Sequence, residues 1–217
     1  MDSFCLFFVA VAVAMLVTAV FCLTDGGIRL ALQFALAKRI GGVFTPELIV
    51  AGDSLAASCP FKRLNRHPFA VLNLAAGGAT IMEIAGQIHR ARDIPARWLL
   101  IDGGLNDLLF DNAAPDQLEA DFRALFRRME ERRRVIVTLM PYVADPAQSA
   151  RIEAANGRLA RLCAERGYLV IDLNPSISRD GARASDMTCD GLHFARKAEV
   201  IWLDAVRGTI EKERGAA

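Results

Sequence analysis

Four short polar clusters contain the residue types that chemistry at a serine requires. They read Gly-Asp-Ser-Leu at 52–55, Ala-Ala-Gly-Gly-Ala-Thr at 75–80, Gly-Gly-Leu-Asn-Asp at 103–107 and Asp-Gly-Leu-His at 190–193. The first three follow short apolar runs, and the fourth precedes the last amphipathic stretch. A serine, a histidine, a carboxylate and amide donors are together the groups that nucleophilic acyl transfer uses.

The spacing within these clusters suggests a role for each group. A serine hydroxyl is a poor nucleophile until a base takes its proton, and the imidazole of His193 is suited to that task. Asp190 lies three residues earlier, so on a turn its carboxylate can accept a hydrogen bond from one ring nitrogen while the other faces Ser54. The Ser54 N–H, a glycine N–H and the Asn106 amide could then stabilise an oxyanion.

The rest of the pattern predicts the elements that must bring these clusters together. Short apolar runs rich in branched residues indicate buried strands, and amphipathic stretches between them indicate helices. The predicted strands are 48–51, 70–74, 98–101, 135–139 and 169–171, and the predicted helices are about 55–65, 80–91, 115–132, 147–166 and 195–212. This alternation predicts an α/β fold with three layers, α/β/α, around a central, mostly parallel five-stranded sheet. Ligands bind such sheets outside the carboxyl ends of the strands.

The clusters resemble, in order and spacing, the conserved blocks of the SGNH hydrolases, also called GDSL esterases and lipases. The matching residues are Gly-Asp-Ser-Leu at 52–55, glycine at 78, Gly-x-Asn-Asp at 104–107 and Asp-x-x-His at 190–193, within about residues 46–210. The α/β-hydrolase motif Gly-x-Ser-x-Gly is not matched, because alanine occupies position 56.

This resemblance implies a flavodoxin-like SGNH fold and a role for each matching residue. Ser54 would be the nucleophile, His193 its base and Asp190 the group that orients the imidazole. The N–H groups of Ser54 and Gly78 and the Asn106 side chain would form the oxyanion hole, with Gly78 preferred to the preceding glycine by the family spacing. The implied reaction is ester hydrolysis or acyl transfer through a covalent acyl-serine.

Each of these residues also has an ordinary structural interpretation. Ser54 could cap the helix that follows the first strand. Asn106-Asp107 and Asp190-Gly191 are residue pairs that are common in turns. Asp53, beside the proposed nucleophile, is expected to stabilise its loop rather than to react.

The other histidines and the cysteines are not expected to form a second site. His67, before a proline, is predicted to be a solvated loop residue, and His89 to lie with Gln87 on an exposed helix face. No Cys-x-x-Cys pair occurs, which disfavours a structural zinc site. A disulfide between Cys59 and Cys189 is left open as an alternative.

Composition excludes several classes of protein. The chain of 217 residues has 26 Lys and Arg against 25 Asp and Glu, a formal net charge of +1, so no excess of cations is available to neutralise nucleic-acid phosphates. Its 53% hydrophobic content excludes a disordered chain. No metal motif and no phosphate-binding glycine loop occur, and no cofactor or metal is therefore expected.

The amino-terminal segment differs from the rest of the chain. Residues 3–23 contain no charge and, as a helix, would span roughly 31 Å, which matches the hydrocarbon core of a bilayer. We expect a transmembrane anchor over 1–24, with a cleaved signal peptide or a buried core helix as alternatives. Residues 25–44 are predicted to be an interfacial helix and linker, or a helix packed on the domain. The hydrolase domain would occupy 45–217.

The sequence leaves open on which side of the membrane the hydrolase domain lies. No Lys or Arg precedes the apolar run, whereas Arg29, Lys38 and Arg39 follow it, and positive flanks favour the cytoplasmic side. The family resemblance instead favours the periplasmic side, since relatives often act on exported glycans or lipids.

The sequence thus predicts a membrane-anchored serine esterase. Its expected partners are membrane lipid, through the amino-terminal helix, and a substrate that is an O-acyl glycan, a lysophospholipid or a short-chain ester; nucleic acid is not among them. The alternative is a catalytically silent module that binds an acylated polysaccharide within a membrane synthesis or export assembly.

Overall fold

Five short strands form one parallel sheet in the computed structural model, which describes residues 46–65, 69–129 and 132–216. The strands are β1 (Leu48–Ala51), β2 (Val71–Asn73), β3 (Trp98–Ile101), β4 (Arg134–Thr138) and β5 (Leu169–Ile171). Their order across the sheet is β2-β1-β3-β4-β5. Every residue of β1 and β3 is buried, as expected for central strands that are covered on both faces.

Helices connect the strands. They are α1 (Ser54–Ser58), α2 (Ile81–Arg90), α3 (Leu105–Leu109), α4 (Pro115–Arg127), α5 (Pro146–Glu165), α6 (Asn174–Ile177) and α7 (Arg196–Gly215). Short 3-10 helices lie at Phe61–Leu64 and Ser185–Met187, and a small antiparallel hairpin is formed by β6 (Ser178–Arg179) and β7 (Ala182–Arg183).

The strand order reverses at β1, and this reversal determines which face each helix covers. From β1 the chain crosses to β2 in one direction, whereas β3, β4 and β5 follow in the other. Because parallel crossovers are right-handed, the first connection lies on one face and the later ones lie on the other. Helix α7 packs against the 3-10 helix of the first connection, while α2 and α5 both pack against α4. The predicted three-layer α/β/α fold is confirmed.

Trp202 of α7 joins several of these elements in the core. Its side chain is fully buried and makes edge-to-face contacts with Phe61 and Phe194, at centroid distances of 5.1 and 5.5 Å. Its indole N–H donates to the hydroxyl oxygen of Thr138, at the end of β4, at 3.1 Å. The last helix, the first connection and the segment after His193 are therefore fixed to the sheet by one side chain.

The element boundaries depart from the sequence prediction where local chemistry intervenes. The predicted helix 55–65 is broken, because a residue before proline disfavours the helical region and Cys59, before Pro60, adopts ψ 129°. The predicted helix 115–132 ends at Arg127. Helices α3 and α6 and the β6–β7 hairpin were not predicted, although Asp180-Gly181, with φ values of 51° and 75°, is a typical hairpin-turn sequence.

Some predictions fall outside the described residues. They are the membrane anchor at 1–24, the interfacial helix and linker at 25–44, and the solvated loop position of His67. Among the helices that the structure does describe, none is both long and apolar enough to cross a bilayer.

Replacement of Thr138 by valine tests the link between α7 and the sheet. Thr138→Val keeps the shape of the side chain but leaves the buried Trp202 N–H without its acceptor, which should lower the free energy of unfolding by about 1–3 kcal/mol. Urea denaturation of the purified domain measures this change. Thr209→Val is the control, since that half-buried hydroxyl bonds only within its own helix, to the Ala205 carbonyl. Equal losses in both variants would contradict the assignment.

Candidate active site

Ser54 is the first residue of α1 and follows the turn that ends β1. The helix is capped by Asp53, whose Oδ1 accepts a hydrogen bond from the Leu55 N–H at 2.9 Å. The interpretation of Ser54 as the helix cap is therefore wrong, and its hydroxyl is available for another contact. That contact is His193: Ser54 Oγ and His193 Nε2 are 3.1 Å apart.

The turn before Ser54 is held by a buried glutamine that the sequence reasoning missed. Gln87 of α2 accepts a hydrogen bond from the Gly52 N–H at 2.9 Å and donates one to the Gly52 carbonyl at 3.0 Å. The predicted exposed position of Gln87 is wrong, since the residue is 1% exposed. Its place three residues after Ile84, on the stripe that also includes Ile81 and Ile88, was the available signal.

Position 52 also requires glycine for close packing. A Cβ atom there would lie 2.8 Å from the Ala56 Cβ and 2.9 Å from the Asp102 carbonyl oxygen. The backbone before the nucleophile is thus fixed both by steric contact and by two hydrogen bonds.

Asp190 and His193 lie on the segment 188–193, called the histidine loop below. His193 Nδ1 and Asp190 Oδ2 are 2.7 Å apart, and Asp190 Oδ1 accepts from the backbone N–H groups of His193, at 2.7 Å, and Leu192, at 2.9 Å. The bond to the imidazole, followed by the two backbone bonds, holds the pKa of Asp190 far below its ordinary value. When Nδ1 donates its proton to this carboxylate, Nε2 is the acceptor that faces Ser54.

The Asp190–His193 pair is open to solvent at the carboxyl edge of the sheet. The side chains of His193 and Asp190 are 38% and 53% exposed. Asp190-Gly191 does form a turn, as its ordinary interpretation required, and Gly191 has φ +91°. Asp190 therefore takes part both in a turn and in a hydrogen bond to the imidazole, and its two interpretations are compatible.

The two remaining predicted oxyanion donors lie on segments that are bonded to each other. Gly78 has φ +73°, and the carbonyl of the next residue, Ala79, accepts a hydrogen bond from the Asn106 side chain at 3.0 Å. Both carboxylate oxygens of the neighbouring Asp107 accept from the Ile81 N–H at 3.2 Å. Asn106 and Asp107 lie in α3 rather than in a simple turn. Among the described residues Asn106 uses one amide hydrogen, so the second can donate elsewhere.

Two buried carboxyl groups lie under the nucleophile. Asp53 and Asp102 are 1% and 2% exposed. Burial raises the pKa of Asp53 to about 6, opposed chiefly by its bond to the Leu55 N–H and then by the charge of His193. Burial, and then the neighbouring charge of Asp53, raises the pKa of Asp102 well above its ordinary value. As expected, Asp53 stabilises the loop; Asp102 was missed, although it directly follows β3.

The cysteines and the remaining described histidine do not extend this site. Cys59 is buried, Cys189 is exposed, and both thiols are free, so the alternative of a disulfide between them is wrong. His89 is exposed, as predicted, and contacts Arg92.

The fold and the edge cluster together define an α/β domain with a serine, an imidazole and a carboxylate in one hydrogen-bonded series. Residues 50–198 match the model of the GDSL-like Lipase/Acylhydrolase family. The match spans more than half of the chain, and the chain belongs to this family. The resemblance drawn from the four clusters is confirmed.

Curated relatives match part of this chain at low identity. The N-acylneuraminate cytidylyltransferase of Streptococcus agalactiae serotype III is 25% identical over 153 residues, which cover 69% of this chain and 35% of that protein. The chain thus spans about a third of the length of the curated relatives it matches.

Solved structures share the fold. A GDSL-like lipase from Bacteroides thetaiotaomicron has a TM-score of 0.66 and 14% identity, covering 83% of this chain and 98% of that chain. A carbohydrate esterase of family 3 from Talaromyces cellulolyticus has a TM-score of 0.60 and 14% identity, with 80% and 100% covered. These neighbours show the fold, and membership of the family supports an enzyme that hydrolyses acyl esters.

Replacement of Asp102 by asparagine tests the buried carboxyl pair. A carboxyl with a raised pKa takes up a proton on folding, so its contribution to the free energy of unfolding falls as pH rises above the ordinary value of 3.8. Asp102→Asn removes that titration and keeps a donor for Asp53. We expect the substitution to stabilise the protein at pH 8 and to have less effect at pH 4.

Thermal melts across this pH range measure the effect. The control is Asp172→Asn, an exposed aspartate that directly follows β5. A loss of stability at pH 8, or a gain that does not vary with pH, would contradict the assignment of Asp102.

Proposed function

We propose that the domain is a serine esterase that hydrolyses an acyl ester through a covalent acyl-serine at Ser54. The observation that carries this proposal is the hydrogen-bonded series Asp190–His193–Ser54. The contact between Asp190 and His193, at 2.7 Å, lies within the histidine loop, and the contact between His193 and Ser54, at 3.1 Å, joins that loop to the start of α1. Membership of an acylhydrolase family supports the same reaction class.

The proposed first half of the reaction transfers the acyl group to the enzyme. Ser54 Oγ attacks the ester carbonyl carbon while His193 Nε2 takes the hydroxyl proton, and Asp190 stabilises the imidazolium that forms. The carbonyl oxygen becomes an oxyanion, for which the N–H groups of Ser54 and Gly78 and the Asn106 amide are the proposed donors. Collapse of this intermediate breaks the bond to the leaving alcohol, which receives the proton from His193.

The proposed second half returns the enzyme to its starting state. His193 takes a proton from water, and the resulting hydroxide oxygen attacks the acyl carbon. Collapse of the second tetrahedral intermediate releases the carboxylic acid and returns the proton to Ser54 Oγ. An acceptor alcohol in place of water would give acyl transfer by the same steps.

The proposed substrate is an O-acyl glycan, in preference to a lysophospholipid or another short-chain ester. The solvent exposure of His193 and Asp190 supports a bulky polar substrate, because a sugar with its acyl group can approach an open edge. The neighbour that is a carbohydrate esterase, and the relative that is an N-acylneuraminate cytidylyltransferase, support sugar chemistry.

The uncharged run at residues 3–23 supports a further part of the proposal, a single-pass membrane anchor. The charges that follow the run favour a cytoplasmic domain, while an exported glycan substrate favours the periplasmic side. Partners in a membrane assembly belong to this part of the proposal.

The second candidate function is a silent module that binds an acylated polysaccharide. The intact series of three groups disfavours it, because binding alone has no need of a base beside a serine. A fluorophosphonate probe distinguishes the two: the esterase is labelled, and the label is lost in Ser54→Ala. A folded wild-type protein without labelling would favour the binding module.

Substitutions in the proposed triad and oxyanion hole should lower turnover of 4-nitrophenyl acetate by different amounts. Ser54→Ala and His193→Ala remove the nucleophile and the base, and should reduce the rate to near background while the circular dichroism spectrum is unchanged. Asn106→Ala should lower kcat by about 10²–10³, the usual loss for one oxyanion donor. Ser58→Ala, at the other end of α1, is the matched control with wild-type rates. Full activity in Ser54→Ala would remove the proposal.

Cell fractionation tests the proposed anchor. The full chain should stay with the membranes after carbonate extraction, because an apolar helix of this length spans the bilayer, whereas a chain that starts at Gly42 should be soluble and active. Alkaline phosphatase fused to the carboxyl terminus reports the side, since it is active only after export. Extraction of the full chain by carbonate, or its release in a shortened soluble form, would contradict the anchor.

A further inference from the structure

Arg183 contacts the histidine loop, and no step of the proposed mechanism uses it. It is the last residue of β7, and its backbone N–H donates to the Val143 carbonyl, after β4, at 2.9 Å. Its partner in the hairpin is Ser178. The hairpin thus presents one arginine to the carboxyl edge of the sheet from a backbone that is fixed on two sides.

The Arg183 side chain is buried, with only part of its hydrogen-bonding capacity used. The residue is 4% exposed, Nη1 donates to the Leu192 carbonyl, and the guanidinium lies 4.7 Å from the centre of the Phe194 ring. Among the described residues, its Nε and Nη2 have no hydrogen-bond partner. A buried charge with unused donors destabilises a fold, whereas a methionine would cover Phe194 without that cost. Packing alone therefore does not account for an arginine here.

One peptide group connects Arg183 to the catalytic carboxylate. The Leu192 carbonyl accepts from Arg183 Nη1, and the N–H of the same peptide, from His193, donates to Asp190 Oδ1 at 2.7 Å. In a trans peptide the C=O and N–H point in opposite directions. A cation at one end and a carboxylate at the other polarise this group in the same sense, which strengthens both hydrogen bonds.

Few other hydrogen bonds connect the histidine loop to the rest of the described domain. The Thr188 hydroxyl and the Cys189 N–H both donate to the His193 carbonyl, at 2.8 and 3.1 Å, and these bonds close within the loop. Besides the Ser54–His193 contact and the contacts of Thr188 and Cys189 with the adjoining Phe194, the described links outward are the Ala144 N–H to the Gly191 carbonyl, at 2.9 Å, and Arg183. Arg183 is thus the side chain that fixes the peptide next to the imidazole.

The charges around this contact form a small set. Burial lowers the pKa of Arg183 to about 10, and the charges of Asp102, from the end of β3, and Asp190, from the histidine loop, oppose that shift. Asp190 is also the carboxylate that contacts the His193 imidazole. Arg183 is therefore a buried cation whose charge acts on the group that orients the base.

We propose that Arg183 is a positioning residue, which fixes the Asp190–His193 pair through the Leu192–His193 peptide. This inference rests on the proposed esterase function. Arg183 does not touch the reacting atoms; it restricts the orientation of the peptide from which the imidazole projects. Small displacements of catalytic groups have large effects on rate, up to about 100-fold for 1 Å.

Three substitutions separate the hydrogen bond from the charge. Arg183→Met removes both, Arg183→Lys keeps the charge without the planar fork, and Arg183→Gln keeps a donor for the Leu192 carbonyl without the charge. Arg179→Met is the matched control, because Arg179 is an exposed arginine of the same hairpin. The readouts are kcat and KM with 4-nitrophenyl acetate, beside a thermal melt of each protein.

We expect Arg183→Met to lower kcat by about 10–100-fold with KM changed by about twofold or less. Arg183→Lys and Arg183→Gln each keep a donor, so their kcat should lie between that of Arg183→Met and that of the wild type, and Arg179→Met should match the wild type. A merely structural role would lower the melting temperature alone and leave kcat of the folded protein unchanged, and that result would overturn the inference.

Two further outcomes keep the test decisive. If Arg183→Met does not fold, the lysine and glutamine variants are measured in its place, and wild-type kcat in both would overturn the inference. Absence of esterase activity and of fluorophosphonate labelling in the wild-type protein would instead reject the proposed function. Failure of the two proposals is therefore distinguishable in one set of measurements.

Discussion

The hydrogen bond between Ser54 and His193 is the interaction on which the rest of the site depends. It joins residues 139 positions apart in the chain, at 3.1 Å, so local structure cannot bring them together. The parallel sheet does so, because it places the turn after β1 at its carboxyl edge and α7 fixes the end of the histidine loop against β4 through Trp202. Catalysis at a serine needs such precision, since the base must lie within hydrogen-bond distance of the hydroxyl.

The groups beneath this contact explain how the precision is maintained. Gln87 holds Gly52 with two hydrogen bonds, and Arg183 holds the Leu192 carbonyl on the opposite side of the pair. The buried carboxyls of Asp53 and Asp102 have raised pKa values because burial disfavours their charged forms. The site therefore combines strong local order with buried polar groups that reduce the stability of the domain, a combination common where geometry serves chemistry.

Much of the fold and the exposed part of the site could be predicted from sequence. Asp190 and His193 are three positions apart, and their hydrogen bonds close within one turn, so the spacing indicated the pair. The buried strands are continuous apolar runs, which periodicity detects directly. The positions of Gln87 on an apolar helix stripe and of Asp102 directly after β3 were signals of burial. The roles of these two residues and of Arg183 could not be predicted, because each depends on a partner that is distant in the sequence. The break before Pro60 and the Asp180-Gly181 turn had local signals, but those elements are too short for periodicity to reveal.

The central claim is that the acyl group of the substrate passes through Ser54. Rapid mixing with 4-nitrophenyl trimethylacetate, whose bulky acyl group slows the attack of water, followed by acid quenching and peptide mass spectrometry, tests it most directly. The account predicts one trimethylacetyl group on the peptide that contains Ser54, formed as fast as the first equivalent of nitrophenol is released. Nitrophenol release while Ser54 stays unmodified, or an acyl group on another residue, would contradict it.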